Sequence, residues 1–537
     1  MKILISDEVS RTCIEKLEKQ FEVHYKTGLT SDELLKSIAE YDAWVVRSAT
    51  KVTSTLINAA KKLKIIGRAG AGVDNIDVDA ATQKGIIVMN TPGGNTISTA
   101  EHTIAMIMSL SRNIPQASQS VKGGEWKKNK FIGTELFGKT LGVLGIGKVG
   151  REVAMRMKSF GMNIIGFDPI LAPAEASKIG VDLVVLDELL ARSDFITIHT
   201  PLNKATQDLL NWHAFQKCKD GVRIVNCARG GIINENDLLE ALQSGKVSGV
   251  ALDVFNEEPP GTNNPLVQLP NVIPTPHLGA STEEAQEKVA VQIAEQILDA
   301  FEKNSIRGAV NMVHIDQTAL LKSAAYLDLA NRLGSFIAQA FSGPVSRLKV
   351  SYFGDILNHQ TELLTSNFLV GLFDGVIENV NIINAPAVAK KQGIVLNEIR
   401  STEHQDYTHL ITIELCVGES IHLVSGALYG KNDPRLVAIN EFMFDSRLNG
   451  FVLKISNEDK PGMIGKLGTI LGRHHINIAQ MSLGRKGIGG KAMTILNLDH
   501  EIPAGVQNEL LGNGFYDAYF VRLNKAAQVL NFQIPSA

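Results

Sequence analysis

The chain has 537 residues, a formal net charge of −3, and 44% hydrophobic and 6% aromatic residues. That length exceeds what one hydrophobic core usually organises, so three or four domains are expected. The small net charge excludes a global attraction to nucleic acid or to an anionic membrane, and no apolar run approaches the length of a membrane span.

The four cysteines, Cys13, Cys218, Cys227 and Cys416, are scattered along the chain. Their spacing fits neither a metal site nor a disulfide framework, so we expect no metal and a reducing, cytoplasmic compartment. The apolar stretch at the start of the chain, Met1–Asp7, is too short for a signal peptide and is predicted to form a core strand. An organelle reached through a removed transit sequence is the open alternative.

Short apolar runs alternate with helix-like segments from Lys2 to about Thr91. This alternation predicts a parallel sheet with helices on its faces. A single long helix is predicted from Ser98 to about Val121. The predicted strands of this first unit are Ile3–Ser6, Phe21–Tyr25, Ala43–Val46, Lys64–Gly67 and Ile86–Met89.

The same alternation returns from Thr140 to about Pro276 and predicts a second α/β unit. A helix over Thr282–Phe301 is expected to carry the chain back to the first unit, which would then be discontinuous. The predicted strands of the second unit are Leu141–Leu144, Asn163–Phe167, Phe195–His199, Arg223–Asn226, Gly249–Leu252 and Val272–Pro274.

After Asn311 the chain lacks glycine-rich turns and clusters of catalytic residue types as far as about residue 445. A helix over Ala319–Phe341, a strand over Leu348–Tyr352 and further mixed α/β structure are predicted there. A compact βαββαβ pattern follows. Its predicted elements are the strand Gly450–Ser456, the helix from Pro461 to about His474, the strands Ile476–Arg485 and Lys491–Leu498, the helix Ala504–Leu511 and the strand Ala518–Leu523.

The glycine-rich turn after Leu144 is typical of a dinucleotide site. Gly145 allows the tight turn, Gly147 lets the backbone approach a pyrophosphate, and Gly150 lets the helix pack on the strand. The helix that starts there offers unpaired N–H groups to the phosphates. Asp168 ends the next strand, where its carboxylate can accept both ribose hydroxyls and would repel a 2′-phosphate. The pattern therefore predicts NAD rather than NADP.

Three residues that suit hydride transfer from a hydroxyacid follow successive strands of the second unit. His277 is the candidate acid/base, because an unperturbed imidazole titrates near neutrality. Glu258 could hydrogen-bond the other ring nitrogen, and the planar guanidinium of Arg229 suits a carboxylate. Ligands of doubly wound sheets bind beyond the carboxyl ends of the strands, so these loops are expected to converge.

The first unit offers a complementary set of cations. Arg47 and Arg68 end two of its strands, and the loop with Gly70, Ala71 and Gly72 can present backbone N–H groups to a carboxylate. Several cations around one cleft indicate a substrate with more negative charge than one carboxylate, such as a phosphorylated acid. Two further candidates, Lys128 and Lys130, lie before the second unit, where a solvated lysine-rich loop is the alternative.

With these residues in place, the chain resembles the D-2-hydroxyacid dehydrogenase family and, within it, the long-form D-3-phosphoglycerate dehydrogenases. The resemblance covers residues 1 to about 311 nearly continuously. It rests on the stretches 46–52, 67–75, 90–95, 100–103, 226–231, 251–255, 257–260 and 276–281 together with the glycine turn.

The resemblance implies NAD-dependent oxidation of 3-phospho-D-glycerate to 3-phosphohydroxypyruvate, the first step of L-serine biosynthesis. It implies Arg229, Glu258 and His277 as the catalytic set, and Arg47 matches a phosphate-binding role. Where the family has a further arginine, this chain offers lysines near residue 128. Cofactor contacts are implied for Lys148, Val149, Thr200, Cys227, Ala228, Arg229, Asp253, His277, Gly279 and Ala280.

The resemblance also implies four domains. Residues 1–97 and 283–311 would form a substrate-binding domain, 98–282 a Rossmann-like NAD-binding domain, 315–446 an intervening domain and 449–524 a ferredoxin-like ACT domain. ACT domains often pair across subunits and bind an amino acid, commonly serine in this family, so a homo-oligomer, expected to be a tetramer, is implied. A histidine often used for the effector is Asn457 here, and the effector candidates are Asp459 and Asn477.

Three alternatives are open at this point. The first is a reductase of hydroxypyruvate or glyoxylate, which would not require a phosphate on its substrate. The second is a dinucleotide-sensing scaffold on the same fold, and the third is an amino-acid sensor that uses only the ACT-like domain. Both of these would leave the combination of Arg229, Glu258 and His277 unexplained.

Overall fold

The computed structural model of the chain describes residues 1–315, 317–403, 407–503 and 505–523, with backbone alone for 317–319. Two predicted limits, the helix start at Ala504 and the domain end at residue 524, lie outside the described residues. Among the described helices, none has both the length and the apolar character needed to cross a membrane. The predicted α/β fold class is confirmed.

The first unit is a five-stranded sheet in which all neighbouring strands are parallel. Its elements are β1 (Lys2–Ile5), α1 (Arg11–Glu18), β2 (Glu22–Tyr25), α2 (Ser31–Ser37), β3 (Ala43–Val46), α3 (Ser54–Ala59), β4 (Ile65–Arg68), α4 (Val78–Gln83) and β5 (Ile87–Met89). The strand order is β2-β1-β3-β4-β5. Every residue of β3 is buried, because helices cover both faces of the sheet.

The predicted single helix from Ser98 to Val121 is wrong, because two helices fill this stretch. They are α5 (Thr96–Arg112) and α6 (Ile114–Lys122). Asn113 lies between them with a left-handed backbone, φ 52°. Pro115 in the first turn of α6 has no N–H to continue the hydrogen-bond ladder, and its ring would clash with the turn before it. Pro115 is therefore the residue in the sequence that marks the break between the two helices.

The second unit is a seven-stranded parallel sheet of order β12-β11-β10-β9-β6-β7-β8. Its elements are β6 (Thr140–Leu144), α7 (Lys148–Lys158), β7 (Asn163–Phe167), α8 (Pro173–Lys178), β8 (Asp182–Leu183), α9 (Leu186–Arg192), β9 (Phe195–Ile198), α10 (Trp212–Lys217), β10 (Val222–Asn226), α11 (Glu235–Gln243), β11 (Val247–Leu252) and β12 (Val272–Pro274). The chain order reverses on either side of β6, which is where such sheets bind ligands.

Helix α12 (Glu283–Lys303) returns the chain to the first unit, as predicted. Its buried face, with Val289, Ile293 and Ile297, shares one hydrophobic core with the strands β1 and β3. A Cβ atom added at Gly67 of β4 would lie 2.9 Å from Ile293, so the glycine allows the helix to pack closely on the sheet.

The third unit contains a six-stranded sheet of order β14-β13-β15-β16-β17-β18. Its elements are α13 (Gln317–Ala340), β13 (Val345–Gly354), α14 (Thr361–Phe373), α15 (Ala385–Lys391), β14 (Val395–Ser401), β15 (His409–Val417), β16 (Ser420–Tyr429), β17 (Asp433–Ile439) and β18 (Phe442–Arg447). Only β13 and β14 pair in parallel, and the remaining neighbours are antiparallel. Asn381 Nδ2 donates to the Gly85 carbonyl and ties this unit to the first.

The C-terminal unit is an antiparallel sheet of order β20-β21-β19-β22. Its elements are β19 (Gly450–Glu458), α16 (Met463–Arg473), β20 (Ile478–Arg485), β21 (Lys491–Leu498), α17 (Val506–Leu511) and β22 (Phe515–Leu523). Buried Lys454 of β19 donates to the Ala340 carbonyl at the end of α13, 3.2 Å away. The predicted βαββαβ order is present, and the four separate sheets support the domain limits, which stay a prediction.

Candidate active site

The glycine turn joins β6 to α7 and leaves open space beside its backbone. Gly145 has φ +90°, and a Cβ atom there would lie 2.8 Å from the His199 carbonyl. A Cβ atom at Gly150 would lie 2.1 Å from the Gly145 carbonyl, so the helix reaches the strand only without a side chain. A Cβ atom added at Gly147 would have no atom within 4 Å apart from its neighbours along the chain. The turn therefore has room for a phosphate at the N-terminus of α7.

Asp168 follows β7 and is fixed by backbone N–H groups. Its Oδ2 accepts from Ile146 of the glycine turn at 2.9 Å, and its Oδ1 accepts from Ile170 at 2.9 Å and Leu171 at 3.1 Å. Burial raises the pKa of this carboxyl, but the three N–H groups outweigh burial and lower it overall. The carboxylate is thus charged and oriented next to the turn, as a ribose contact requires.

His277 and Glu258 form a hydrogen-bonded pair. His277 Nδ1 lies 2.7 Å from Glu258 Oε2, and Glu258 Oε1 accepts from the Phe255 backbone N–H at 3.1 Å. Burial raises the pKa of Glu258, but the hydrogen bond and charge of His277 outweigh it and lower the pKa overall. With Nδ1 engaged, Nε2 is the ring nitrogen that can exchange a proton with a ligand.

Buried Asp253 organises the loop that carries His277. Its Oδ1 accepts from Thr275 Oγ1 and from the Leu278 backbone N–H, both at 2.7 Å, and its Oδ2 accepts from the Gly279 N–H at 2.9 Å. His277 itself has φ +55°, a left-handed conformation that is uncommon for a residue with a side chain. The bonds to Asp253 hold this conformation, so the aspartate supports the loop from beneath.

His102 of α5 completes this arrangement, with Nε2 3.1 Å from Asp253 Oδ1. His102, Cys227 and Asp253 have ligand-type atoms within 4.8 Å of one another. Burial raises the pKa of Cys227 to about 12, and the carboxylate oxygens already accept hydrogen bonds. The hydrogen bonds that Asp253 accepts give this cluster a structural role in the loop that carries His277. The predicted absence of a metal stays a prediction.

Arg229 lies on the loop after β10 and reaches across to the first unit. Its Nε donates to Asp74 Oδ2 at 2.9 Å, and its Nη1 donates to the Ala228 carbonyl at 2.6 Å. Asn226 holds the loop, with its Nδ2 on the Arg229 carbonyl and its Oδ1 on the Ala228 N–H. Asn226, the last residue of β10, therefore sets the position of the arginine backbone.

Arg47 and Arg68 lie on the opposite wall of the cleft. Asn75 connects them, because its Oδ1 accepts from Arg68 Nε at 3.1 Å and its Nδ2 donates to the Arg47 carbonyl at 2.7 Å. Burial, together with the charges of Arg229 and Arg47, lowers the pKa of Arg68 to about 10, although Asp74 opposes the shift. Three guanidinium groups thus meet in one region of the molecule.

Two adjoining hollows make up the cleft between the first and second units. The first extends toward the glycine turn and includes Val149, Thr200, Cys227, Ala228, Gly279 and Ala280. The second includes Arg47, Arg68, Gly70, Glu258 and Pro276. Both hollows are bounded by Ala71, Gly72, Asp74, Arg229 and His277.

The first hollow has the features of a cofactor site. Thr200 Oγ1 is buried and has no hydrogen-bond partner among the described residues, so it is available to a ligand group. The buried side chain of His199 lies beside it. This imidazole is neutral, because burial lowers its pKa to about 3. Lys148 does not face this hollow and donates instead to the Pro92 carbonyl at 3.2 Å. Asp253 lies beneath the loop and does not line this hollow. Its predicted contact with the cofactor stays a prediction.

Lys128 and Lys130 are placed away from the cleft. They lie on an exposed 3₁₀ turn, Lys128–Phe131, and neither belongs to the walls of the two hollows. Lys130 pairs at 3.9 Å with Glu125. Their predicted contact with a substrate phosphate is not supported by this arrangement and stays a prediction.

The sequence reasoning did not single out Asp74, Asn75 or His102. All three stood inside stretches that carried the family resemblance, 67–75 and 100–103. Each makes its important hydrogen bond to a residue distant in sequence or to a backbone carbonyl, and neither type of bond produces a periodic pattern. Asp74 and Asn75 lie in the glycine-containing loop after β4, and His102 lies within α5, so no strand end marked any of the three.

Comparisons with known proteins agree with this architecture. Family models match the second, third and C-terminal units: the D-isomer specific 2-hydroxyacid dehydrogenase NAD binding domain over residues 104–279, the D-3-phosphoglycerate dehydrogenase intervening domain over 322–440, and the ACT domain over 451–513. A D-3-phosphoglycerate dehydrogenase of Archaeoglobus fulgidus is 43% identical over 97% of this chain and 100% of its own length. That of Bacillus subtilis is 44% identical over 95% of this chain and 97% of its own length.

Solved structures match the first two units. A glyoxylate reductase of Paecilomyes thermophila has 35% identity and a TM-score of 0.53, and the match covers 57% of this chain and 97% of that one. A D-lactate dehydrogenase of Aquifex aeolicus complexed with NAD and lactic acid has 29% identity and a TM-score of 0.51, over 57% of this chain and 96% of that one. The second unit is accordingly an NAD-binding domain.

Proposed function

The chain belongs to the D-3-phosphoglycerate dehydrogenase family, and we propose that its cleft carries out the NAD-dependent oxidation of 3-phospho-D-glycerate to 3-phosphohydroxypyruvate, the first step of L-serine biosynthesis. One observation carries this proposal. Arg229, the His277–Glu258 pair and the cations Arg47 and Arg68 all border one hollow next to the cofactor side of the cleft.

His277 is the proposed acid/base. Its Nε2 accepts the proton of the substrate hydroxyl in the oxidation and returns it in the reduction. Glu258 holds Nδ1 and stabilises the positive charge that the ring gains, since its own pKa is lowered by the histidine. NAD, when bound along the glycine turn, supplies the acceptor for the hydride that leaves the carbinol carbon.

Arg229 is the proposed binder of the substrate carboxylate. Two of its five N–H donors are used by Asp74 and Ala228, which leaves three for a ligand. Arg47 and Arg68 on the opposite wall suit the phosphate group, because a guanidinium can bind phosphate oxygens through two parallel hydrogen bonds. The two ends of the substrate would thus meet different units.

The test is NADH oxidation with phosphohydroxypyruvate, hydroxypyruvate and glyoxylate as separate substrates. We expect kcat/KM for the phosphorylated acid to exceed that for the other two by about a hundredfold or more, the value of two charge-assisted hydrogen bonds. If hydroxypyruvate or glyoxylate is reduced as fast as phosphohydroxypyruvate, the chain is instead a hydroxypyruvate or glyoxylate reductase. No turnover of any of the three would favour a role in sensing dinucleotide or amino acid.

We also propose that L-serine regulates the enzyme through the C-terminal unit, with Asp459 and Asn477 as contacts. The ACT match supports an amino-acid site there. Asp459 accepts from Arg485 Nη1 at 3.1 Å, and Asn477 donates to Asp499 at 2.7 Å, so both have polar surroundings. L-serine should lower turnover and raise the melting temperature, whereas D-serine should do neither. An unchanged rate and melting temperature in saturating L-serine would contradict the proposal.

A homo-oligomer, expected to be a tetramer, and a cytoplasmic location are likewise proposals. Five exposed apolar side chains lie between residues 114 and 137, and a group of this kind is typical of a subunit interface. Trp126→Ser should reduce the mass in solution measured by light scattering. Val185→Ser, an exposed apolar control, should leave it unchanged. The five side chains are Ile114, Val121, Trp126, Ile132 and Phe137.

A further inference from the structure

Asp74 makes a direct ion pair across the cleft. It follows β4 of the first unit, while its partner Arg229 follows β10 of the second, and the two residues are 155 positions apart in sequence. The pair joins Asp74 Oδ2 to Arg229 Nε at 2.9 Å. Its formation therefore depends on the distance between the two units, which is the width of the cleft.

The pair also restricts the rotation of the arginine. Nε is held by Asp74 and Nη1 by the Ala228 carbonyl, so the guanidinium plane is fixed at two of its nitrogens. A Cβ atom at Gly72 would lie 2.0 Å from Nη2, so the glycine provides the space that this orientation needs. The donors that stay free lie beside the hollow that holds Glu258 and His277.

The charge balance makes Asp74 a partner of Arg229 rather than a competitor of the substrate carboxylate. Arg47, Arg68 and Arg229 bring three positive charges to one region, and Asp74 offsets part of their mutual repulsion. Asp74 engages Nε and leaves Nη2 free, so a substrate carboxylate need not displace it. The Asp74 side chain is 63% exposed, and its partner belongs to the other unit, so a wider cleft would separate the two charges.

We propose that Asp74 is a positioning residue, which orients Arg229 through Nε and links its orientation to closure of the cleft. This inference rests on the proposed function. It assigns to Asp74 no contact with the reacting atoms. Loss of the pair leaves Arg229 free to rotate, so the substrate carboxylate binds more weakly while NAD binding is retained.

The experiment measures binding of 3-phospho-D-glycerate to the NADH-loaded chain by titration calorimetry, since that complex cannot turn over. Asp74→Ala and Asp74→Asn should weaken binding about tenfold, the value of one hydrogen bond to a charged group. Kd for NADH should stay within about twofold. Asp79→Asn, an exposed aspartate of the same unit that lies outside the cleft, is the matched control and should bind as the unaltered chain does.

A double-mutant cycle separates positioning from a general structural effect. In an Arg229→Gln background, Asp74→Ala should change the Kd of 3-phospho-D-glycerate by less than about twofold, because the group it orients is absent. Equal weakening in both backgrounds would overturn the inference. So would tighter binding on loss of Asp74, which would identify it as a competitor. Failure of the unaltered chain to oxidise 3-phospho-D-glycerate would instead overturn the proposed function.

Discussion

The Nδ1 atom of His277 lies 2.7 Å from Glu258 Oε2, and the Glu258 carboxylate is itself held by the Phe255 N–H. The two residues follow neighbouring strands of the second unit, β12 and β11. Such a pair sets which ring nitrogen faces the ligand and stabilises the protonated ring. Two predictions on the chemistry depend on it.

His277→Ala should reduce kcat by about 10² to 10⁴, the usual contribution of a positioned acid/base. NAD binding should change little, because the glycine turn and Asp168 are unaffected. Steady-state kinetics and a fluorescence titration with NADH measure the two quantities. His213→Ala, an exposed histidine on α10, is the matched control and should keep full activity. Near-normal turnover of His277→Ala would remove the histidine from the mechanism.

Glu258→Gln should move the acidic limb of the pH profile for oxidation to lower pH. The pKa of Glu258 is lowered by the hydrogen bond to His277, so the carboxylate and a protonated ring stabilise each other. Without the negative charge, a proton on the ring is no longer stabilised by its neighbour, so the form that accepts the hydroxyl proton is favoured. The profile of kcat/KM against pH checks this. A limb that stays in place would show that the carboxylate has no electrostatic role.

The catalytic residues could be predicted from sequence because parallel strands place their carboxyl ends at one edge of a sheet. Arg229, Glu258 and His277 follow three neighbouring strands, so short apolar runs were enough to locate them. The family resemblance implied a cofactor contact for Asp253, but its support of the His277 loop was not predicted. That role consists of individual hydrogen bonds to residues 275–279, which have no sequence period.

The strand pairing in the sheet of the third unit could not be predicted from the sequence. Its edge strand β14 pairs in parallel with β13 although about 50 residues separate Arg347 from its partner Val395. Long-range pairing of this kind depends on the packing of the helices between the strands, which local patterns do not describe. The helix α13 was predicted within about two residues, because apolar residues recur along it at helical spacing.

Asp168→Ala should weaken NAD and reduce discrimination against NADP. The carboxylate is fixed by three backbone N–H groups and is charged, so it can accept ribose hydroxyls and repel a 2′-phosphate. We expect KM for NAD to rise about tenfold to a hundredfold and KM for NADP to fall. Asp182→Ala, an exposed residue of the neighbouring strand β8, should change neither. An unchanged ratio of the two KM values would contradict the assignment of cofactor preference to Asp168.

Lys454 should make the C-terminal unit more stable at alkaline pH. Its Nζ is buried between the rings of Phe341 and Tyr519, 4.7 and 4.6 Å from their centroids. Burial lowers its pKa from 10.5 to about 8, partly opposed by Asp517. Between these two pH values the unfolded chain holds a proton that the folded chain has lost. The contribution of this group to the free energy of unfolding therefore rises with pH across that window.

Lys454→Met removes the titrating group and with it this dependence. At pH 7 the variant should melt at a higher temperature, because the methionine carries no buried charge. As pH rises from 8 to 10.5, the free energy of unfolding of the unaltered chain should increase relative to that of the variant by on the order of 3 kcal/mol. Calorimetric melting at several pH values measures the difference, with the exposed Lys460→Met as the matched control. If the difference in melting temperature between the unaltered chain and Lys454→Met is the same at every pH in this range, Lys454 does not change its charge on folding.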